Sequence, residues 1–169
     1  KAIEINPNFA NAYSNLGIIL RDLGKLQEAE ETTVKAINLN PSCAEAYLNL
    51  GTILRELGKY HDAINSYTNA IKFNNKLSCA KSSLIEAKGL ICDWKNQEIE
   101  TKWMEELGIE GSSVYPGGLF YYEDNPLKHL KRSLKLYKEK YYKKSKNINH
   151  LNNKKIRIGY FSSDFRAHP

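Results

Sequence analysis

The stretch "ANAYSNLGIILRDLGK" at residues 10–25 returns as "AEAYLNLGTILRELGK" at residues 44–59, a displacement of 34 positions. Aligning Ala10–Cys43 with Ala44–Leu77 leaves close to half the positions identical, so an internal repeat organises the first half of the chain. Within each unit apolar or small residues recur at helical spacing, as Ala12, Leu16, Ile19, Leu20 and Leu23, then as Ala46, Leu50, Ile53, Leu54 and Leu57. That spacing predicts one helix per unit with a single buried stripe. Gly24 and Gly58 supply the unrestricted backbone that ends such a helix. A second helical run follows, through Leu26, Ala29, Ala36 and Ile37 or through Tyr60, Ala63, Tyr67 and Ala70. Asn6-Pro7 and Asn40-Pro41 mark the turns between units, because proline cannot continue the preceding helix and asparagine readily stops one.

This pattern resembles the tetratricopeptide repeat, in which stacked helix pairs build a superhelix. Tyr13, Leu16, Gly17, Ala29, Ala36 and Pro41 stand where that signature expects an aromatic, Leu, Gly, Ala, Ala and Pro. Tyr47, Leu50, Gly51, Ala63, Tyr67 and Ala70 repeat it, while Leu20, Leu54, Thr33 and Asn75 depart from it. A side chain at Gly17 or Gly51 would hold two packed helices apart, a gain that must outweigh about 1 kcal/mol of lost helix propensity at each site. Ala2, Ile3 and Ile5 look like the end of a preceding helix, giving a partial repeat over 1–9. Ala80, Leu84 and Ile91 fall one period after Ala46, Leu50 and Leu57, giving a degenerate first helix over 78–91 after the full repeats 10–43 and 44–77.

In such an array the first helix of each pair lines a concave face wide enough for an extended peptide. Asn11, Ser14, Asn15, Ile18, Arg21 and Asp22 qualify on that face, with Glu45, Leu48, Asn49, Thr52, Arg55 and Glu56 one unit on. Asn15 and Asn49 carry amides that both donate and accept, so a ladder of them could hold a peptide backbone irrespective of its side chains. The alternative is that both are solvated polar positions, and that Arg21 and Arg55 are surface charges near Asp22 and Glu56.

The 169 residues carry a net charge of +6, unevenly placed. Residues 1–91 are close to neutral, 92–127 carry about −6 and 128–169 about +11. In the acidic connector, 92–127, Asp93 is expected to cap a helix from about Trp94 to Leu107 that stops at Gly108. "GSSVYPGGLFYYEDNP" at 111–126 reads as a loop that tucks aromatics into a neighbouring surface; no Gly-Lys-Ser/Thr follows its glycines, so it is no phosphate loop. A basic helix and linker occupy 128–155. Leu127, Leu130, Leu134, Tyr137 and Tyr141 share one face, expected to pack on the rest of the protein, and lysines fill the remainder. Those lysines could touch phosphates, but no recognition module accompanies them, which argues for a solvated helix over nucleic-acid binding.

His61, His129, His150 and His168 are scattered without ligand spacing, so no metal site is expected. Cys43, Cys79 and Cys92 form no C-x-x-C pair and fit a reducing, cytoplasmic setting. No apolar run approaches the length of a membrane span. Ile156–Phe161 reads as a strand that breaks at Ser162-Ser163-Asp164, the way an α/β domain begins.

Repeats, then Cys92-Asp93-Trp94, then Asp124-Asn125-Pro126-Leu127 leading a helix, then Arg157-Ile158-Gly159-Tyr160 with Ser162-Ser163-Asp164-Phe165 and His168, together resemble the O-linked N-acetylglucosamine transferase family. The resemblance implies an inverting transferase that moves the sugar from UDP-N-acetylglucosamine to serine or threonine hydroxyls without a metal. It makes His168 the counterpart of an active-site histidine, and Asn15 and Asn49 members of an acceptor-guiding ladder. The chain stops at Pro169, so it is expected to be a fragment that binds polypeptide but holds no nucleotide-sugar site and no cofactor of its own. The expected fold is mainly α: a repeat superhelix, connector helices, and over 156–169 one strand and loop opening a truncated glycosyltransferase domain. The competing reading is a non-enzymatic repeat scaffold for protein–protein interaction. The oligomeric state is left open.

Overall fold

A computed structural model describes residues 3, 6–95 and 102–140. It is mainly helical, with five helices in succession: α1 (Ala10–Asp22), α2 (Leu26–Leu39), α3 (Ala44–Glu56), α4 (Tyr60–Phe73) and α5 (Ser78–Leu90). A 3₁₀ turn at Gly117–Tyr121 and a sixth helix, α6 (Pro126–Lys140), follow. No strand occurs among the described residues; the expected strand at 156–161, the linker 141–155, Tyr141, His150 and His168 lie outside them, as do Ala2 and Ile5.

The first helix of each full pair ends in the same way. Gly24 and Gly58 sit at φ +75° and +76°, and the next residue's N–H reaches back to close the last turn, Lys25 to the Leu20 carbonyl and Lys59 to that of Leu54, both at 2.9 Å. This is the left-handed C-cap that glycine adopts without a Cβ penalty. Between pairs, the Asn6, Asn40 and Asn74 side chains each accept a backbone N–H two residues on, at 3.1, 3.3 and 3.1 Å. The third turn therefore survives the loss of proline at Asn75, because the asparagine side chain already fixes the bend.

Small residues let the pairs close up. Ala29, Ala36, Ala46, Ala63, Ala70 and Ala80 are fully buried. A Cβ on Gly17 would come within 2.1 Å of Thr33 Oγ1, and one on Gly51 within 2.6 Å of the Tyr67 ring. Thr33, which departs from the aromatic of the repeat signature, turns its hydroxyl to the Ala29 carbonyl at 2.8 Å. The stripe anticipated on the first helices holds in α3, where Ile53 and Leu54 are buried, but not throughout α1. Ile19 and Leu23 are exposed there, since no described residue packs on that side of the first pair in the way α2 packs on α3.

After α5 the described part of the connector, with residues 102–104 helical, packs against that helix. The glycine position of the first two pairs, Gly17 and Gly51, becomes Ile85 in the third, fully buried in a cluster with Met104, Leu107, Val114 and Leu119. Where the connector packs on α5, a large side chain fills the space that a glycine leaves to Thr33 or Tyr67 in the first two pairs. Trp103 bridges this cluster to the one around Leu54, Tyr67 and Leu84. Of the helix expected over Trp94–Leu107, residues 102–104 are helical, Trp94 and Lys95 are not, and 96–101 lie outside the described residues. Asp93 instead accepts the Lys95 N–H at 3.1 Å in a tight turn, and Gly108, at φ +73°, ends the helical stretch.

The last helix packs with the opposite face to the one anticipated. Asn125 caps it, its side chain accepting the Lys128 N–H at 3.1 Å with Pro126 in the first turn. Its inner face is polar: Arg132 is fully buried, donates from Nε to the Leu107 carbonyl at 2.8 Å and from a terminal nitrogen to that of Met104 at 2.6 Å, and pairs with Glu123. Lys135 donates to the Ile109 carbonyl at 2.8 Å. Leu127, Leu130, Leu134 and Tyr137 face outward, Leu127 being 71% exposed. Backbone carbonyls left unpaired at the end of the 102–107 segment select a guanidinium over an apolar face, because a buried acceptor without a donor costs more than an exposed leucine.

Candidate polypeptide-binding groove

The first helices of the two full pairs, α1 and α3, lie side by side and enclose a cleft of about 400 Å³. Ile18 and Leu48 give it apolar walls, and Asn11, Ser14, Asn15 and Asn49 give it hydrogen-bonding groups, with Cys43 and Glu45 beside them. The two asparagines differ in state. Asn49 Nδ2 donates to Ser14 Oγ at 3.0 Å, which ties α3 to α1 and orients the amide so that its oxygen remains available. Asn15 is exposed and has no hydrogen-bond partner among the described residues.

Of the anticipated peptide-binding residues, Asn11, Ser14, Asn15, Glu45 and Asn49 meet around this cleft, whereas Arg21, Thr52 and Arg55 do not line it. Thr52 turns inward, donating to the Leu48 carbonyl at 3.0 Å and accepting from the Tyr67 hydroxyl at 3.5 Å. Burial pushes the Tyr67 hydroxyl pKa up, and the Thr52 contact only partly opposes it. Arg21 pairs with Asp22 at 2.7 Å and reaches Glu56 at 3.9 Å; Arg55 pairs not with its neighbour Glu56 but with Glu86 of α5, at 2.9 Å. These arginines step from one first helix to the next. Cys43 was missing from the anticipated set because it precedes α3, although its place one residue before the repeated "AEAY" carried the signal.

The concave face closes at α5. Its ladder position, 34 residues after Asn49, is Ser83, and the connector loop covers the neighbouring residues. Ser82 Oγ donates to the Tyr115 carbonyl at 3.4 Å, and a Cβ on Gly118 would come within 3.1 Å of Glu86 Cα. Ser82 is thus engaged by the loop much as Ser14 is engaged by α3. A larger recess of about 620 Å³ lies between the α4–α5 turn and the connector. It is lined by lysines and glutamates around Trp103, with Lys81 over the indole at 5.4 Å.

His61 is exposed and His129 is buried, its Nε2 2.7 Å from the Glu123 carbonyl oxygen. Among the described residues no group of three His, Cys, Asp or Glu could hold a metal ion, and no helix is long and apolar enough to cross a membrane. Cys43, Cys79 and Cys92 are free thiols.

Residues 8–76 match the tetratricopeptide repeat family, and with the geometry above this segment is a tetratricopeptide-repeat array. Among solved structures, the chain is similar to the crystal structure of MamA, at 22% identity and a TM-score of 0.55 over 82% of this chain and 86% of that one. It is also similar to the MamA MSR-1 C2 structure, at 21% identity and a TM-score of 0.52 over 62% of this chain and 60% of that one. At these identities what is shared is the fold. No curated protein sequence matches the chain.

Proposed function

We propose that the chain binds an extended segment of another protein along the concave face of its repeats, held through its backbone by Asn15 and Asn49. Repeats of this class mediate protein–protein interaction, and the observation that carries the reading is the cleft itself. Two asparagines one period apart border it, one free and the other fixed by Ser14 with its carbonyl oxygen available. A peptide backbone offers alternating donors and acceptors, which an amide satisfies without regard to sequence. The three free thiols fit a reducing compartment. Binding of labelled extended peptides, followed by fluorescence anisotropy, tests it. Asn15→Ala with Asn49→Ala should weaken capture about tenfold or more, as expected for losing two interfacial hydrogen bonds, while stability falls only by the lost Asn49–Ser14 bond, about 1 kcal/mol, a loss that Asn15→Ala alone does not share. Unaltered affinity contradicts it.

A finer reading is that the groove presents acceptor protein to a glycosyltransferase of the O-linked N-acetylglucosamine transferase kind, with UDP-N-acetylglucosamine as donor. Its support is the ordered set of motifs, Cys92-Asp93-Trp94 at the end of the repeats and the Gly159–His168 stretch beyond. The first of these ends the array, with Trp94 set edge-on against Tyr122 at 5.1 Å; His168 lies outside the described residues. Transfer of labelled sugar from the UDP conjugate to protein serine or threonine by the gene product tests this. Its absence, with peptide binding retained, leaves the scaffold reading.

A further inference from the structure

The cleft between α1 and α3 carries an unpaired charge. Asp22 and Glu56 have Arg21 beside them, and Glu86 has Arg55. Glu45 has no cation: no lysine, arginine or histidine among the described residues lies within ion-pairing distance of it, and its polar contact is the Cys43 thiol, which donates to Oε2 at 3.9 Å. It stands exposed at the edge of a cleft whose other lining residues carry no formal charge. The positive charge of the whole protein belongs to residues 128–169 and is not among the residues that line this cleft.

We infer that the cleft selects an extended peptide carrying a lysine or arginine next to an uncharged residue that enters between Ile18 and Leu48. The inference rests on the peptide-holding reading above: Asn15 and Asn49 hold the backbone of any sequence, and Glu45 supplies the preference. A cation placed at Glu45 gains a charge-assisted hydrogen bond at the rim of a partly desolvated cleft. A peptide carboxylate in the same place meets like charge and finds no cation among the lining residues. The expected preference is modest, because Glu45 is exposed and the pair is screened by salt.

The test uses the 169-residue chain and short labelled Ser/Ala/Val peptides that differ at one central position, Lys, Gln or Glu. Affinity should fall in that order, with the Lys peptide bound about two- to fivefold more tightly than the Gln peptide at low salt. The difference should vanish in Glu45→Gln and reverse between the Lys and Glu peptides in Glu45→Lys. Equal binding of the Lys and Gln peptides, with Asn15→Ala weakening both, would overturn the selectivity and leave the groove standing. A lysine preference that survives Glu45→Gln would overturn it as well. Failure to bind any of the three peptides would remove the groove itself, and the selectivity with it.

Discussion

Cys92 stands one repeat beyond Gly58 and keeps its left-handed backbone, at φ +54° against +76°. The hydrogen bonding is retained too: the Asp93 N–H closes back on the Lys88 carbonyl at 3.0 Å, as Lys59 does on Leu54 at 2.9 Å. The array therefore ends its third first-helix with the same cap as the other two, but with a side chain where a Cβ is disfavoured by about 1 kcal/mol. The cysteine of the Cys-Asp-Trp junction is a repeat glycine that has been replaced while its conformation persists.

Cys92→Gly should accordingly raise stability by about 0.5–1 kcal/mol, as relief of a left-handed non-glycine residue. Thermal unfolding followed by circular dichroism reads it as a higher midpoint. Gly58→Cys should lower the midpoint by a similar amount. A lower midpoint for Cys92→Gly would mean that the thiol makes contacts worth more than the strain.

Gly51→Ala gains helix propensity, yet the new methyl group meets the Tyr67 ring 2.6 Å away. The clash should dominate, for a net loss of about 1–3 kcal/mol, and Tyr67→Leu in the same chain should recover part of it. In the third pair the logic inverts. Ile85→Ala leaves a hole among Met104, Leu107, Val114 and Leu119 and should cost about 2–4 kcal/mol. Denaturant unfolding of the single variants separates the two cases.

Arg132 joins α6 to the connector through the Met104 and Leu107 carbonyls and through Glu123. Arg132→Ala strands those acceptors and should cost the connector about 3–5 kcal/mol. Arg132→Lys should not restore it, since one ammonium cannot reproduce the guanidinium fork. The chain's two tryptophans, Trp94 and Trp103, both lie in the connector. Tryptophan fluorescence should thus lose its transition at lower urea, while the circular dichroism of α1–α4 shifts far less, as expected for a stack of neighbour-coupled units. Coincident shifts of both signals would contradict this.

The same cluster sets an acid limit. Burial pushes the Glu123 carboxyl pKa up, but hydrogen bonds and charge from Lys128 and Arg132 outweigh it and hold the group below its ordinary value of 4.5. A carboxyl lowered in the folded state contributes stability that is fully present above 4.5 and is lost as pH falls through the lowered value. The tryptophan-monitored midpoint should therefore drop as pH is taken below that range, and Glu123→Gln should flatten the dependence. A slope unchanged in that variant would place the acid sensitivity elsewhere.

The repeat array was legible because its information is periodic. Gly24 and Gly58 mark the helix ends, and Asn6, Asn40 and Asn74 recur at the turns, each acting through its own neighbours. The lining of the cleft was legible in part for the same reason: Asn11, Ser14, Asn15, Glu45 and Asn49 border it, whereas Arg21, Thr52 and Arg55 do not. What escaped reading depends on distant partners. The spacing of Leu127, Leu130 and Leu134 argued for an inward apolar face, and nothing local signals that carbonyls at 104 and 107 would draw Arg132 inward instead. Arg55 likewise stands beside Glu56 in sequence, but pairs with Glu86 once α5 is stacked.

The most direct measurement is a peptide titration followed through side-chain amide and methyl resonances of the isotope-labelled chain. Binding in the groove predicts progressive shifts of the Asn15 and Asn49 amide signals and of the Ile18 and Leu48 methyl groups, with the tryptophan indole signals of the connector left in place. Shifts confined to the connector or to α6, with Asn15 and Asn49 unmoved at saturation, would contradict it.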